Sequence, residues 1–390
     1  MPAIPVTVLG PAESGKTVYL ASLFRRLAIP RPDLGFHVQL PPEQSTSLNR
    51  IYQQITSPDA WPDPQRRSEI SEWEFTCSVR TARNETYSPF SITYLDYSGE
   101  HLTEPDGRVE AGNRVLSRIE ESEFLLILLD GVKVLRFLDG DLRLTEDLVA
   151  VFSHMMKSRG IVHFVITKWD VLAAAGHTVQ AVMDCLLRHP DFRDAVETLL
   201  RSPGGARGVR FIPVSSVGLD FAALGPDGVT MVKKGGFPTP LNVEIPFMAV
   251  LMDLFEAQLK EMERQGAPES QRQQQIDRGN QRLEWARMAR DRMPLVRGLL
   301  RTAAARSPVM RLVRDHMAEA FLQFVETQVS AYGSRVEKDI TQLRDRMLRA
   351  TSEKEALNGL VALFHAKLAE FEAEHPGSRL IKGESSWTTA

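Results

Sequence analysis

The segment Gly10-Pro11-Ala12-Glu13-Ser14-Gly15-Lys16-Thr17 stands between an apolar run, Val6 to Leu9, and a stretch in which Leu20, Leu23, Phe24 and Leu27 recur at helical spacing. The pattern G-x-x-x-x-G-K-[ST], set between a strand and a helix, constrains the chain strongly. Glycine lets the backbone turn so that successive N–H groups converge on one point, and the helix N-terminus adds its dipole there. Such a loop cradles phosphate. Glu13, Ser14, Gly15 and Val18 lie along the cradle, Lys16 is placed to reach the β- and γ-phosphates, and Thr17 offers its hydroxyl to a magnesium ion.

The chain around this loop repeats one rhythm as far as about residue 262. Short β-branched and aromatic runs, Val6 to Leu9, Trp73 to Val79, Ser91 to Leu95, Phe124 to Leu129, Val162 to Ile166 and Val209 to Val214, are mostly separated by stretches long enough for a crossover helix. The expectation is an α/β fold with a mostly parallel six-stranded sheet flanked by helices. The short polar link Thr81 to Pro89 joins the second and third runs like a hairpin and makes one strand an antiparallel edge.

Leu219 to Pro246 holds four prolines and many glycines and reads as a long surface loop. A helix resumes at Ile245, with Met248, Met252, Phe255, Leu259 and Met262 on one face. Beyond Pro268 no strand signal remains, and Pro294 and Pro308 divide a helical stretch. The expected domains are 1–265 for the α/β unit, 266–375 for an all-α extension and 376–390 for a flexible tail.

Three more segments sit at the exits of expected strands. Thr167-Lys168-Trp169-Asp170 follows Val162 to Ile166, Asp96-Tyr97-Ser98-Gly99 follows Ser91 to Leu95, and Ser215-Ser216-Val217 follows Val209 to Val214. A carboxylate such as Asp170 at a strand exit can accept two hydrogen bonds from guanine N1 and N2, which adenine does not supply, and an unmatched base would leave it unpaired. The Lys168 stem can lie along the base while its ammonium stays wet.

With the phosphate loop these segments resemble, in order and placement, the P-loop GTPase superfamily in its Ras-like and translation-factor-like branch, over about residues 4–262. Thr167 to Asp170 is similar to the guanine-reading Asn-Lys-x-Asp, with Thr for Asn. Asp96 to Gly99 is similar to Asp-x-x-Gly, and Ser215 to Val217 to the Ser-Ala segment whose backbone contacts guanine O6. The long loop and Pro240 to Pro246 look like bacterial GTPases of the double-GTPase type, often found with partner proteins in multi-gene systems.

The resemblance implies GTP and GDP as ligands and Mg2+ as cofactor. Asp96 would hold the metal through water, Gly99 would sense the γ-phosphate, and slow GTP hydrolysis would switch a protein partner through loops near residues 30–71 and 96–115. The first switch loop needs a hydroxyl over the metal, for which Thr46, Thr56, Ser68 and Ser71 compete and Ser68 is chosen. After Gly99, Glu100 and His101 stand where a glutamine or histidine usually orients water. A carboxylate there opposes the anionic γ-phosphate, whereas neutral His101 can hold or deprotonate the water. Arg66, Arg67 and Arg108 are candidates for an arginine finger, which a partner could also supply. The alternative to a switch is a nucleotide-binding adaptor with little turnover.

Bulk composition sets the remaining bounds. A formal net charge of −3 over 390 residues gives no global pull toward nucleic acid, and no nucleic-acid partner is expected. Cys77 and Cys185 are too few for a disulfide framework, and no apolar run approaches the roughly 20 residues of a membrane span. A cytoplasmic setting follows, with a homo-oligomer open. The arginines of Met293 to Arg314 and the aromatics Phe321 and Phe324 are expected to serve helix packing first, so membrane recruitment is not expected.

Overall fold

The computed structural model describes residues 3–11, 13–31, 33–58, 61–62, 70–97, 117, 119–120, 122, 124–156, 158, 160–201, 208–266 and 340–381. β1 (Ala3–Leu9) leads through the Gly10 loop into helix α1 (Lys16–Leu27), then β2 (His37–Gln39), helix α2 (Pro42–Thr56), β3 (Ile70–Arg80) and β4 (Thr86–Tyr97). β5 (Phe124–Asp130), β6 (Ile161–Thr167) and β7 (Val209–Pro213) follow, separated by helices Gly131–Leu138, Arg143–Met155, Trp169–Ala174, Val179–Arg188 and Pro190–Arg201. Then come a two-stranded ribbon of β8 (Ala222–Leu224) and β9 (Met231–Lys233), three long or short helices and β10 (Arg379–Leu380). Those helices are Ile245–Gly266, Ile340–Leu348 and Glu353–Glu374.

All six expected strands form, and two short ones extend the sheet to eight in the order β10-β7-β6-β5-β1-β4-β3-β2. β4, β1, β5, β6 and β7 are parallel neighbours. β3 pairs antiparallel with β4 and, in turn, with β2, while β10 pairs antiparallel with β7. Every residue of β5 and β6 is buried, as a parallel strand covered on both faces requires. Phe124, Leu126 and Leu128 join the core beneath α1, and Leu125, Ile127 and Leu129 join the core beneath the helices of residues 131–201.

The structure corrects three expectations. The span between Pro30 and Ser71, expected as a switch loop, contains β2 and α2; Leu48 and Ile55 are buried and Ile51 and Tyr52 pack beside them, while Pro42 starts the helix where its missing N–H costs nothing. The stretch Leu219 to Pro246 is ordered by β8 and β9, and Trp61 Nε1 donates to Met231 O at 2.7 Å while Lys233 Nζ donates to Ser57 O at 2.7 Å.

The third concerns the C-terminal part. Residues 340–381 do not form a separate unit or a tail: Phe364 packs edge-on against Phe36 at 5.0 Å, Met347, Leu360 and Phe371 share the core with α1, and β10 closes the sheet. A buried ion cluster fastens them. Asp253 Oδ2 meets Arg210 Nε at 2.8 Å and His163 Nε2 at 2.6 Å, Arg210 reaches Glu372, and Arg379 binds Glu256. Against the opposing cost of its burial, Arg210 and the contact with His163 hold the Asp253 carboxyl well below the usual range. The rest of the expected extension and tail, residues 267–339 and 382–390, including Met293 to Arg314, Phe321 and Phe324, lies outside the described residues. Among the described residues no helix is long and apolar enough to cross a membrane.

Candidate functional site

Five parallel strands end at one edge of the sheet, and the order reverses direction beside β1, whose neighbours are β4 and β5. Ligands of open α/β sheets bind at such a switch point. There the chain leaves β1 at Gly10 and enters α1 at Lys16. Gly15 caps the helix at φ 82° and Glu13 stands at φ 66°, two left-handed residues flanking Ser14. Alternation of this kind turns backbone N–H groups into one concavity suited to an anion.

Lys16 is buried, and its Nζ donates to Gly10 O at 2.7 Å and Pro11 O at 3.0 Å. Burial lowers its pKa to about 8, against the opposing charge of Asp96. Its ammonium therefore rests on carbonyls of the loop and stands within the electrostatic reach of Asp96, which is fully buried near the end of β4. Thr17 and Val18 occupy the first turn of α1.

The second half of the site is built by β6 and β7. Thr167 Oγ1 lies 2.8 Å from Ser14 O and 3.1 Å from Leu129 O, so one hydroxyl ties the phosphate loop to the neighbouring strand exits. Lys168 takes a left-handed conformation at φ 49° and opens the short helix Trp169–Ala174, which carries Asp170. Asp170 Oδ1 accepts from Ser215 Oγ at 2.7 Å, and Ser215 Oγ accepts from Gly218 N at 2.9 Å. Asp170 Oδ2 is buried with no hydrogen bond among the described residues. Burial raises the Asp170 pKa despite the Ser215 bond. Ser216 and Val217 are buried beside it, and Val217 O accepts from Thr239 N at 3.0 Å.

The Lys168 ammonium is also paired: Nζ binds Asp130 Oδ2 at 2.7 Å while the side chain stays partly exposed. Asp130 ends β5, and its other oxygen accepts from Val132 N at 2.8 Å to cap the next helix. Sequence reasoning passed over this residue, although a carboxylate closing the apolar run Phe124 to Leu129 was the available signal. Gly131 packs so closely that a Cβ there would lie 2.3 Å from Thr167 O.

The structure thus brings together Gly10, Glu13 to Thr17, Asp96, Thr167 to Asp170 and Ser215 to Val217. Of the hydroxyls considered for the first switch, Thr46 and Thr56 bond within α2, and Ser71 lies opposite Asp96 in the β3–β4 ladder. Ser68, Gly99, Glu100, His101, Arg66, Arg67 and Arg108 lie outside the described residues.

A phosphate loop at the switch point, with a carboxylate at the next-but-one strand exit, is the arrangement that the resemblance to P-loop GTPases implies. The model of the Double-GTPase 1 family matches residues 7–142, the part that carries the phosphate loop and Asp96. Among solved structures, translation elongation factor SelB from Methanococcus maripaludis, in complex with the GTP analogue GppNHp, aligns at 12% identity and a TM-score of 0.25 over 55% of this chain. This chain spans 30% of that one. No curated protein matches the chain.

Proposed function

We propose that the protein binds GTP and GDP with Mg2+, hydrolyses GTP slowly, and switches a protein partner in the cytoplasm. The observation that carries the base assignment is the buried, unbonded Oδ2 of Asp170 beside an Oδ1 already held by Ser215. A buried carboxylate oxygen without a donor is costly, and the N1–H and N2–H groups of guanine are the donors that would satisfy it. Adenine presents no such pair.

The residues present also fit a metal. Thr17 lies in the first turn of α1, and Asp96 lies near the exit of the adjacent strand and bears electrostatically on Lys16. These two would hold Mg2+, which when bound withdraws charge from the phosphate oxygens. The chain's own part is positioning. The Glu13 to Gly15 backbone and the Lys16 ammonium neutralise the phosphates, Thr167 and Asp130 fix the base-reading turn, and Asp170 orients the base.

An adaptor with little or no turnover is the second reading, favoured by Glu100 standing where a water-orienting residue is expected. Single-turnover hydrolysis by the purified chain separates the two. We expect a rate within a few tens-fold of about 10⁻⁴ s⁻¹, typical of unassisted small GTPases. Several turnovers per second would overturn the slow-switch reading, and no hydrolysis above the buffer blank would favour the adaptor. The nucleotide retained on purification, identified by mass, tests the base.

A further inference from the structure

A cleft of about 820 Å³ lies away from the phosphate loop, between α1, α2 and the segment 237–240. Its walls carry Arg25, Arg26 and Arg31 on one side and Tyr52 and Gln53 on another, with Phe237 and Thr239 opposite. The arginines differ in their commitments. Arg26 is bound by Glu244 at 3.1 Å and Asp33 at 2.5 Å. Arg25 stacks over the Tyr52 ring at 5.7 Å, and neither it nor Arg31 has a carboxylate partner among the described residues. In a chain of net charge −3, two exposed, unneutralised guanidiniums lining one cleft select an anionic occupant.

Phe237 decides what kind. Its side chain is 93% exposed at the rim, presented by the left-handed pair Gly235 and Gly236 and stiffened by Pro238 and Pro240. A small anion bound among the arginines would leave it in water, whereas a macromolecule crossing the rim would cover it. Tyr, Phe and Arg together are the side chains enriched where protein interfaces are fully buried. A nucleic acid fits less well, because Asp33 and Glu244 place carboxylates beside Arg26.

We propose that this cleft docks an acidic, aromatic-bearing segment of a partner protein, its carboxylates on Arg25 and Arg31 and its aromatic side chain against Phe237 and Tyr52. The wall that carries Phe237 is joined to the Ser215 to Val217 segment by Thr239 N donating to Val217 O. The docking itself does not depend on the guanine assignment.

The test is to pan a phage-displayed library of short random peptides against the full chain as purified and measure the enriched peptides by fluorescence anisotropy. The enriched sequences should combine Asp or Glu with Phe, Tyr or Trp. Arg25→Glu with Arg31→Glu should weaken them by at least about tenfold, and Phe237→Ala should weaken them too, with nucleotide affinity unchanged. Arg25→Gln with Arg31→Gln replaces the charge reversal if circular dichroism shows that the latter does not fold. Absence of enrichment, enrichment without acidic residues, or binding indifferent to these variants overturns the proposal. Competition by a short single-stranded oligonucleotide as strong as by the parent peptide would also overturn it.

Discussion

Asp170→Asn changes almost nothing in shape and reverses the hydrogen-bonding sense of one oxygen position. In the structure Oδ1 is held by the Ser215 hydroxyl, itself fixed by Gly218 N, so the amide oxygen best takes that place and the amide NH2 replaces Oδ2. A donor then faces the guanine donors. Each mismatched bond in a buried site costs about 1–3 kcal/mol, and two of them lower GTP affinity on the order of a hundredfold or more. Xanthine carries an oxygen where guanine carries its amine, so XTP should gain. The loss would not be unfolding. Burial raises the Asp170 pKa, so the free wild-type fold loses stability as pH rises through that pKa, and Asn removes this cost. The assay is competition of GTP, XTP and ATP against a fluorescent guanine nucleotide, for both proteins. A wild type that prefers ATP, or a variant that keeps its preference for GTP, refutes the base-reading role of Thr167 to Asp170.

Lys16→Ala should abolish tight nucleotide binding while leaving the free fold intact by circular dichroism; unchanged GTP affinity in calorimetry would remove the phosphate-loop assignment. Because burial lowers the Lys16 pKa to about 8, nucleotide binding near that pH should take up a proton, seen as binding heats that differ between buffers of unlike ionisation enthalpy. The unfolded chain keeps that proton to about pH 10, so Lys16 makes the free fold more stable as pH rises above 8. Gly131→Ala forces a Cβ against Thr167 O and Lys168 O and should cost about 1–3 kcal/mol in urea unfolding, together with weaker GTP binding. Asp253→Ala strips the buried Arg210 of its bidentate partner and should cost about 3–5 kcal/mol by the same measurement, with nucleotide affinity retained by the folded fraction.

The parallel core was legible because its signals are local and redundant. Each of the strands β1, β4, β5, β6 and β7 is an apolar run, and each site segment stands at the exit of one. What escaped was written in short or non-local terms. His37 to Gln39 and Arg379 to Leu380 are too brief to show alternation and exist as strands through pairing with β3 and β7. α2 carries its apolar face on few residues in a polar stretch. The docking of residues 340–381 depends on Phe36 meeting Phe364 and on Arg210 meeting Glu372, pairs far apart in the chain. Asp130 was missed because its significance lies in Lys168, a contact between two strand exits that neither exit announces alone.

Thr167 stands where the motif it resembles has Asn, and this bears on how the two halves of the site are joined. An asparagine amide offers two protons and can serve two carbonyls at once, but the Thr167 hydroxyl has one proton to share between Ser14 O and Leu129 O. The link between the phosphate loop and the turn that carries Asp170 is correspondingly weaker at that residue. The structure compensates beside it: Asp130 binds the Lys168 ammonium with one oxygen and caps the following helix with the other, and Gly131 allows that helix to begin in contact with the Thr167 and Lys168 carbonyls. Rigidity that an asparagine would confer through the phosphate loop is here supplied from the β5 side. The left-handed turn at Lys168, and with it the placement of Asp170, is therefore secured by β5 and β7 more than by the loop that holds the phosphates.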